Sequence, residues 1–283
     1  MQVMDMLGRI SASKMSTFMT CPLQAKFQYL DKLPRKQHAS ASFGTCVHHA
    51  LDFYNNTGDL NRSVNEFLDV WENPEKLGVT PETWPKGGTY GGMRQRGIEM
   101  LRGYHDGLKW DTREVLATEH KFLVPLGEFE VTGFVDLLEL RKNKRGKSEI
   151  RVVDYKTNKK QPFLNSLHLN IQFTTYAYAA EQPEFWLGNG PDFPAMENGA
   201  YYWEMYKDLP RRPIWYQLET QKEMDAGLRD DQDYMRLYRV CKEMAKAVKY
   251  DVFIPQISGD SCVFCPYTEP CGIPIPVPEE EDE

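Results

Sequence analysis

The apolar pattern of this chain changes period near residue 115, and that change limits the fold more than any other feature. Before it the spacing is helical. Gly44 to Asn55 puts Val47, Ala50, Leu51 and Tyr54 on one face, and residues 60–115 continue as helix around the glycine-rich loop Trp84-Pro-Lys-Gly-Gly-Thr-Tyr-Gly-Gly92. After it, Val115–Val124, Glu128–Leu140 and Glu149–Lys156 favour strands, and the basic turn Lys142-Asn-Lys-Arg-Gly146 joins the last two as a hairpin. Ile10-Ser-Ala-Ser13 opens a helix with Ser11 or Ser13 as N-cap; Pro22 breaks it and Leu23 to Leu30 continues. Leu167–Glu181 reads as helix, Ala200–Tyr206 and Pro213–Glu219 as a hairpin around Pro210-Arg-Arg212, and Met224–Tyr250 as a long helix. The result is an α/β chain with a central mixed sheet flanked by helices.

With 283 residues, 41% of them hydrophobic, the chain can bury a sizeable core. It has no run of 18 apolar residues to cross a membrane, and Met1 to Ile10 does not read as a signal peptide, so a cytoplasmic location is expected. The net charge of −7 speaks against a broadly basic nucleic-acid surface. Residues 141–160, however, hold nine Lys/Arg against two acids, a local charge of +7. The tail Glu279 to Glu283 is wholly acidic and reads as solvated.

Four constellations carry possible chemistry. Asp136, in Gly133-Phe-Val-Asp136, lies on one strand and Asp154 and Lys156 on the next. Asp154 and Lys156 are two apart and share a face. Converging carboxylates hold a hard divalent cation, and an ammonium beside them orients a water and neutralises a phosphate. Phosphodiester hydrolysis needs that combination. His48, in Gly44-Thr-Cys-Val-His48, can add a nitrogen ligand, whereas His49 points about 100° away. Gln172 and Tyr176 put two polar tips on one helix face. Cys262, Cys265 and Cys271 are crowded as metal ligands are, suiting an iron–sulfur cluster or structural zinc, with Cys21-Pro22 a distant partner. Cys46 and Cys241 read as unligated core thiols. Gly146-Lys147-Ser148 imitates the end of a phosphate-binding loop, but Arg141 stands where that loop needs glycine, so no ATPase is expected.

In order, these pieces resemble the RecB-like branch of the PD-(D/E)XK nucleases. Ser11-x-Ser13 with Cys21-Pro22 resembles their opening, and Gly44-Thr-x-x-His48 their His motif. Gly133-x-x-Asp136 and Asp154-Tyr-Lys156-Thr157 resemble the two carboxylate motifs, and Gln172-x3-Tyr176 the Gln–Tyr motif. The terminal cysteines are similar to the iron–sulfur clasp of AddB and of CRISPR-associated RecB-like exonucleases. The resemblance runs from about residue 10 to 272 and implies a restriction-endonuclease-like core with a helical insertion and a clasp joining the chain ends.

It also implies roles. His48, Asp136, Asp154 and the Tyr155 carbonyl would bind Mg²⁺ or Mn²⁺. Lys156 would position the attacking water, Gln172 and Tyr176 would orient phosphate or active-site groups, and Cys21, Cys262, Cys265 and Cys271 would hold a [4Fe–4S] cluster. One domain over 1–283 is expected: 1–115 mainly helical, 116–220 the catalytic sheet and Gln–Tyr helix, 221–272 helix and cluster cysteines, 273–283 an acidic tail. The implied activity is a DNA exonuclease preferring free single-stranded ends, in replication, recombination or repair, of stand-alone or phage type. The 87 residues between His48 and Asp136 favour that over a CRISPR adaptation nuclease working with integrase partners. The four residues His48, Asp136, Asp154 and Lys156 together argue against a silent DNA-binding scaffold.

Overall fold

The computed structural model describes residues 7–85, 87–108, 113–258, 262 and 265–272; the acidic tail lies outside them. A six-stranded mixed sheet forms its centre. Strand β1 (Ile10–Ser11) is followed by helices α1 (Ala12–Thr20), α2 (Pro22–Ala25), α3 (Ala39–Thr57), α4 (Leu60–Glu72) and α5 (Tyr90–Gly107). Then come β2 (Glu114–Leu126), β3 (Phe129–Lys142) and β4 (Ser148–Lys156). Helices α6 (Leu164–His168), α7 (Ile171–Ala180), α8 (Pro183–Leu187) and α9 (Gly199–Tyr206) precede β5 (Arg211–Gln217), β6 (Lys222–Asp225) and α10 (Asp231–Tyr250). Among the described residues no helix is long and apolar enough to cross a membrane.

β3 organises the sheet. β2 runs antiparallel along one edge. Along the other edge β1 pairs in parallel at Val131–Thr132, and β4 pairs antiparallel from Leu137↔Val153 to Lys142↔Ser148. Gly133 to Asp136 therefore span a gap between β1 and β4, and the sheet forks there. β4 continues parallel to β5, which pairs antiparallel with β6.

Two apolar layers cover the sheet. On one side Leu137, Val153 and Tyr155 pack with Val47, Leu51, Phe67 and Leu101 of α3–α5. On the other, Val135, Leu138, Ile150 and Val152 pack with Tyr176 and Ala179 of α7 and Leu237 and Met244 of α10.

Several expectations need correction. Ala200–Tyr206 and Pro213–Glu219 do not form a hairpin: Gly199–Tyr206 is helix α9, and Arg211–Gln217 joins β4 in parallel. The aromatic run has strand propensity, but Tyr202, Trp203 and Tyr206 pack on the core at helical spacing. The long helix starts at Asp231 rather than Met224, because Met224 pairs with Trp215 in β6 and Asp230 with Asp233 forms a capping box. Leu167–Glu181 is two helices, split where the Asn170 side chain accepts from the amides of Gln172 and Phe173. Ser11, not Ser13, caps α1.

The basic run also divides. Residues 143–147 form the β3–β4 turn, where Asn143 Oδ1 accepts from the amides of Arg145 and Lys147. That turn is about 20 Å along β4 from Asp154, at about 3.3 Å per residue. Arg141 and Arg151 are taken up by the buried Glu139, at 2.6 and 3.4 Å. Lys156 stays at the fork, beside Asp154, and Lys159 turns to Glu219.

Candidate active site at the sheet fork

The fork gathers the acidic residues because strand alternation slips there. Val135 and Leu138 pack into one layer and Leu137 into the other, so the slip falls at Asp136. Opposite it on β2, Thr118 bonds Asp52 of α3, whereas His120 Nε2 donates at 2.7 Å to the Phe185 carbonyl in the opposite layer. In a regular strand those two side chains would share a face. Between them Glu119 takes φ +42°, a left-handed conformation that is costly for a non-glycine residue and marks functional sites.

His48, Glu119 and Asp136 each offer one ligand atom, and these atoms all lie within 4.8 Å of one another. His48 reaches in from α3, with Nδ1 3.5 Å from Asp136 Oδ2 and 3.9 Å from Glu119 Oε1. Its Nε2 is 3.1 Å from the Tyr155 carbonyl. Burial opposes a charged imidazole, but Asp136, Glu119 and Asp154 outweigh it and raise His48 to about 9. With both ring nitrogens protonated, each faces an acceptor. Burial and the Asp136 charge push Glu119 up to about 7. Burial also works against the Asp136 carboxylate, yet His48 and the Tyr155 amide hold it below its ordinary range.

Asp154 and Lys156 share a face as expected, with Nζ 2.5 Å from Oδ2. Asp154 Oδ2 is nevertheless a buried oxygen without a well-angled hydrogen bond, so the contact is one of charge. Burial raises Asp154. Lys156 Nζ donates to Gln172 Oε1 at 3.4 Å, and Gln172 Nε2 donates to the Tyr176 hydroxyl at 2.8 Å. Burial pushes that hydroxyl well above its ordinary range, so it stays neutral.

Tyr155 ties the site to the core. Its amide donates to Asp136 Oδ2 at 2.7 Å, and its hydroxyl lies 2.5 Å from the Tyr104 hydroxyl. The same hydroxyl accepts from Asn55 Nδ2 at 3.2 Å, two turns beyond His48 on α3. Arg113 bridges Tyr104 and Asn55 at 2.7 and 2.8 Å.

The structure thus brings His48, Asp136, Asp154, Tyr155, Lys156, Gln172 and Tyr176 to one fork. His49 instead turns to Glu66, 3.8 Å away. The sequence reading missed Glu119. A countable signal existed: Leu126 pairs with Phe129 across Gly127-Glu128, and counting back from that turn sets Glu119 against Asp136.

The residues present fit a divalent cation. Oxygen and imidazole donors converge, and the buried Asp154 Oδ2, ion-paired with Lys156, has no hydrogen-bond partner among the described residues.

Four of the cysteines gather at one pocket. Cys21, Cys262, Cys265 and Cys271 line one pocket between α2 and the C-terminal segment, together with Phe27 and Tyr267. Burial, and the nearby Cys21, Cys265 and Cys262, raise Cys271. Among the described residues no three of these sulfurs meet the 4.8 Å spacing found at the fork. Cys46 and Cys241 are buried, as expected, and burial pushes them up to about 11 and about 12.

A forked sheet with converging carboxylates, an imidazole and a lysine is the arrangement that metal-dependent phosphodiester hydrolysis requires. The chain belongs to the PD-(D/E)XK nuclease superfamily, whose family model matches residues 9–272. Members of that superfamily are generally metal-dependent nucleases acting on DNA. No curated protein matches the sequence significantly. A solved structure, "Crystal structure of SSO0001", aligns over 90% of this chain and 94% of its own at 13% identity and TM-score 0.29, too loose a likeness to support an argument.

Proposed function

We propose that this protein is a DNA exonuclease of the RecB-like branch, a single nuclease domain acting in the cytoplasm on free, preferably single-stranded ends during replication, recombination or repair. The observation that carries the reading is the continuous line of contacts from His48 through Asp136, Tyr155 and Lys156 to Gln172 and Tyr176.

Each residue has a task. His48, Glu119, Asp136, Asp154 and the Tyr155 carbonyl would hold Mg²⁺ or Mn²⁺. A bound cation there polarises the phosphate and acidifies a water. Burial opposes a charged lysine, but Asp154 raises Lys156, so it keeps its proton and offers a positive charge to the developing phosphorane. Gln172 fixes the lysine, and Tyr176 fixes Gln172.

The four cysteines would hold a [4Fe–4S] cluster joining the chain ends. Their place around one pocket between α2 and the C-terminal segment supports a shared centre.

End-labelled linear DNA, single- and double-stranded, with Mn²⁺ tests the activity. Progressive shortening from the end, faster on single strands, is expected. Internal cuts of both substrates at equal rate would overturn the exonuclease reading.

A further inference from the structure

The gap between β1 and β4 contains one exposed residue, which the metal site does not use. Phe134, two residues before Asp136, is 51% exposed although it lies inside the central sheet. It pairs in register with Lys121 of β2, which lies two residues past Glu119. The Lys121 ammonium sits 6.0 Å from the Phe134 ring centroid and 4.4 Å from that of Phe193. Phe193 is buried and anchors the lysine. Phe134 thus exposes aromatic surface two residues along each strand from the Glu119–Asp136 pair, with the Lys121 ammonium held over one face of the ring.

Leaving such a ring in water forgoes about 1.5–3 kcal/mol of burial. The sheet has apolar layers on both faces, and Phe134 joins neither. An aromatic face beside a fixed cation suits one ligand: a nucleotide, whose base stacks on the ring while its phosphate meets the ammonium. Bases in a duplex are already stacked on their neighbours, so only an unpaired or splayed base can use such a surface.

We propose that Phe134 and Lys121 form a binding site for one unpaired nucleotide of the DNA strand next to the scissile phosphate, and that this site sets the preference for single strands. The proposal rests on the nuclease reading above and adds the residues that select the strand. Phe134 supplies stacking and so favours no particular base. Lys121 supplies charge and so makes binding sensitive to salt.

The test uses a single-stranded oligonucleotide and matched strands with an abasic site at successive positions near the cleaved end. Cleavage is followed with Mn²⁺, and binding by fluorescence anisotropy with Ca²⁺. Phe134→Ala should raise KM, and weaken binding of the intact strand, by about tenfold. KM should rise more than kcat falls. One abasic position should abolish the difference between Phe134→Ala and the parent, and Phe134→Trp should restore tight binding. Lys121→Ala should lower the dependence of log affinity on log salt by about one.

If Phe134→Ala weakens intact and abasic strands equally, the ring is structural and the proposal fails. It fails also if Phe134→Ala changes neither, while cleavage by the parent leaves the nuclease reading standing. A parent protein that neither binds nor cuts DNA overturns both. One that binds without cutting overturns the nuclease reading, and its binding arm still decides the role of Phe134.

Discussion

His48 Nδ1 stands 3.5 Å from Asp136 Oδ2, and the imidazole is thereby raised to about 9. Without metal the pair is an ion pair inside a carboxylate cluster. The metal must therefore displace a proton to use that nitrogen.

Metal affinity should consequently rise with pH. Glu119, raised to about 7, and His48, raised to about 9, both lose protons when a cation binds. Calorimetric titration with Mn²⁺ at pH 6 and pH 8 in buffers of different ionisation enthalpy should show proton release and tighter binding at pH 8. Equal affinity without proton release would exclude these residues as ligands.

The metal-free protein should show the opposite trend in stability. Folded Glu119 binds its proton more tightly than an unfolded glutamate between about pH 4.5 and 7, and folded His48 more tightly than an unfolded histidine between about 6.5 and 9. Where the native state binds more protons, stability falls as pH rises. With chelator present, Tm should fall from pH 5 to 9, and Glu119→Gln should flatten the lower half of that fall. Parallel curves for the two proteins would contradict the assignment.

Tyr155→Phe should act at a distance. It removes the hydroxyl that meets Tyr104 and Asn55 while leaving the amide and carbonyl at the metal site. Unpaired buried groups cost about 1–3 kcal/mol each, so urea denaturation should show a loss of that order. Because Asn55 lies on the helix of His48, metal affinity should fall with it. Unchanged stability would mean that the hydroxyl network does not brace the site.

Cys21→Ser should separate iron from zinc. Cys21 lies across one pocket from Cys262, Cys265 and Cys271, and linking ends so far apart restrains the unfolded chain by about 5–6 kcal/mol on the analogy of a disulfide. Anaerobically purified parent protein should contain iron and be brown, and the variant should lose both colour and solubility. Stoichiometric zinc without iron in the parent would contradict the cluster.

The sequence made some of this site legible and hid the rest for physical reasons. Asp154 and Lys156 could be placed on one face because β4 is regular. Gln172 and Tyr176 followed from helical spacing. Glu119 stayed hidden because its role depends on a left-handed residue and a slip in alternation that propensity does not encode. The basic run 141–160 misled because charge adjacent in sequence is divided by the fold among a distant turn, a buried ion cluster and the fork. Aromatic α9 was misread because its core contacts, rather than its strand-forming residues, decide its form. No spacing rule connects Cys21 to Cys262, so the pairing rested on residue type and the resemblance, and the shared pocket places them near one another.

The central claim is that the fork binds a catalytic cation through carboxylates while Lys156 serves the chemistry without binding it. Mn²⁺ binding, followed by electron paramagnetic resonance, and DNA cleavage should be measured on the same samples of parent, Asp154→Ala and Lys156→Ala proteins. The account predicts that Asp154→Ala loses both tight Mn²⁺ binding and cleavage. It predicts that Lys156→Ala keeps Mn²⁺ but cuts about 10²–10³-fold more slowly, the usual cost of removing one transition-state charge contact. Full cleavage by folded Asp154→Ala protein would contradict it.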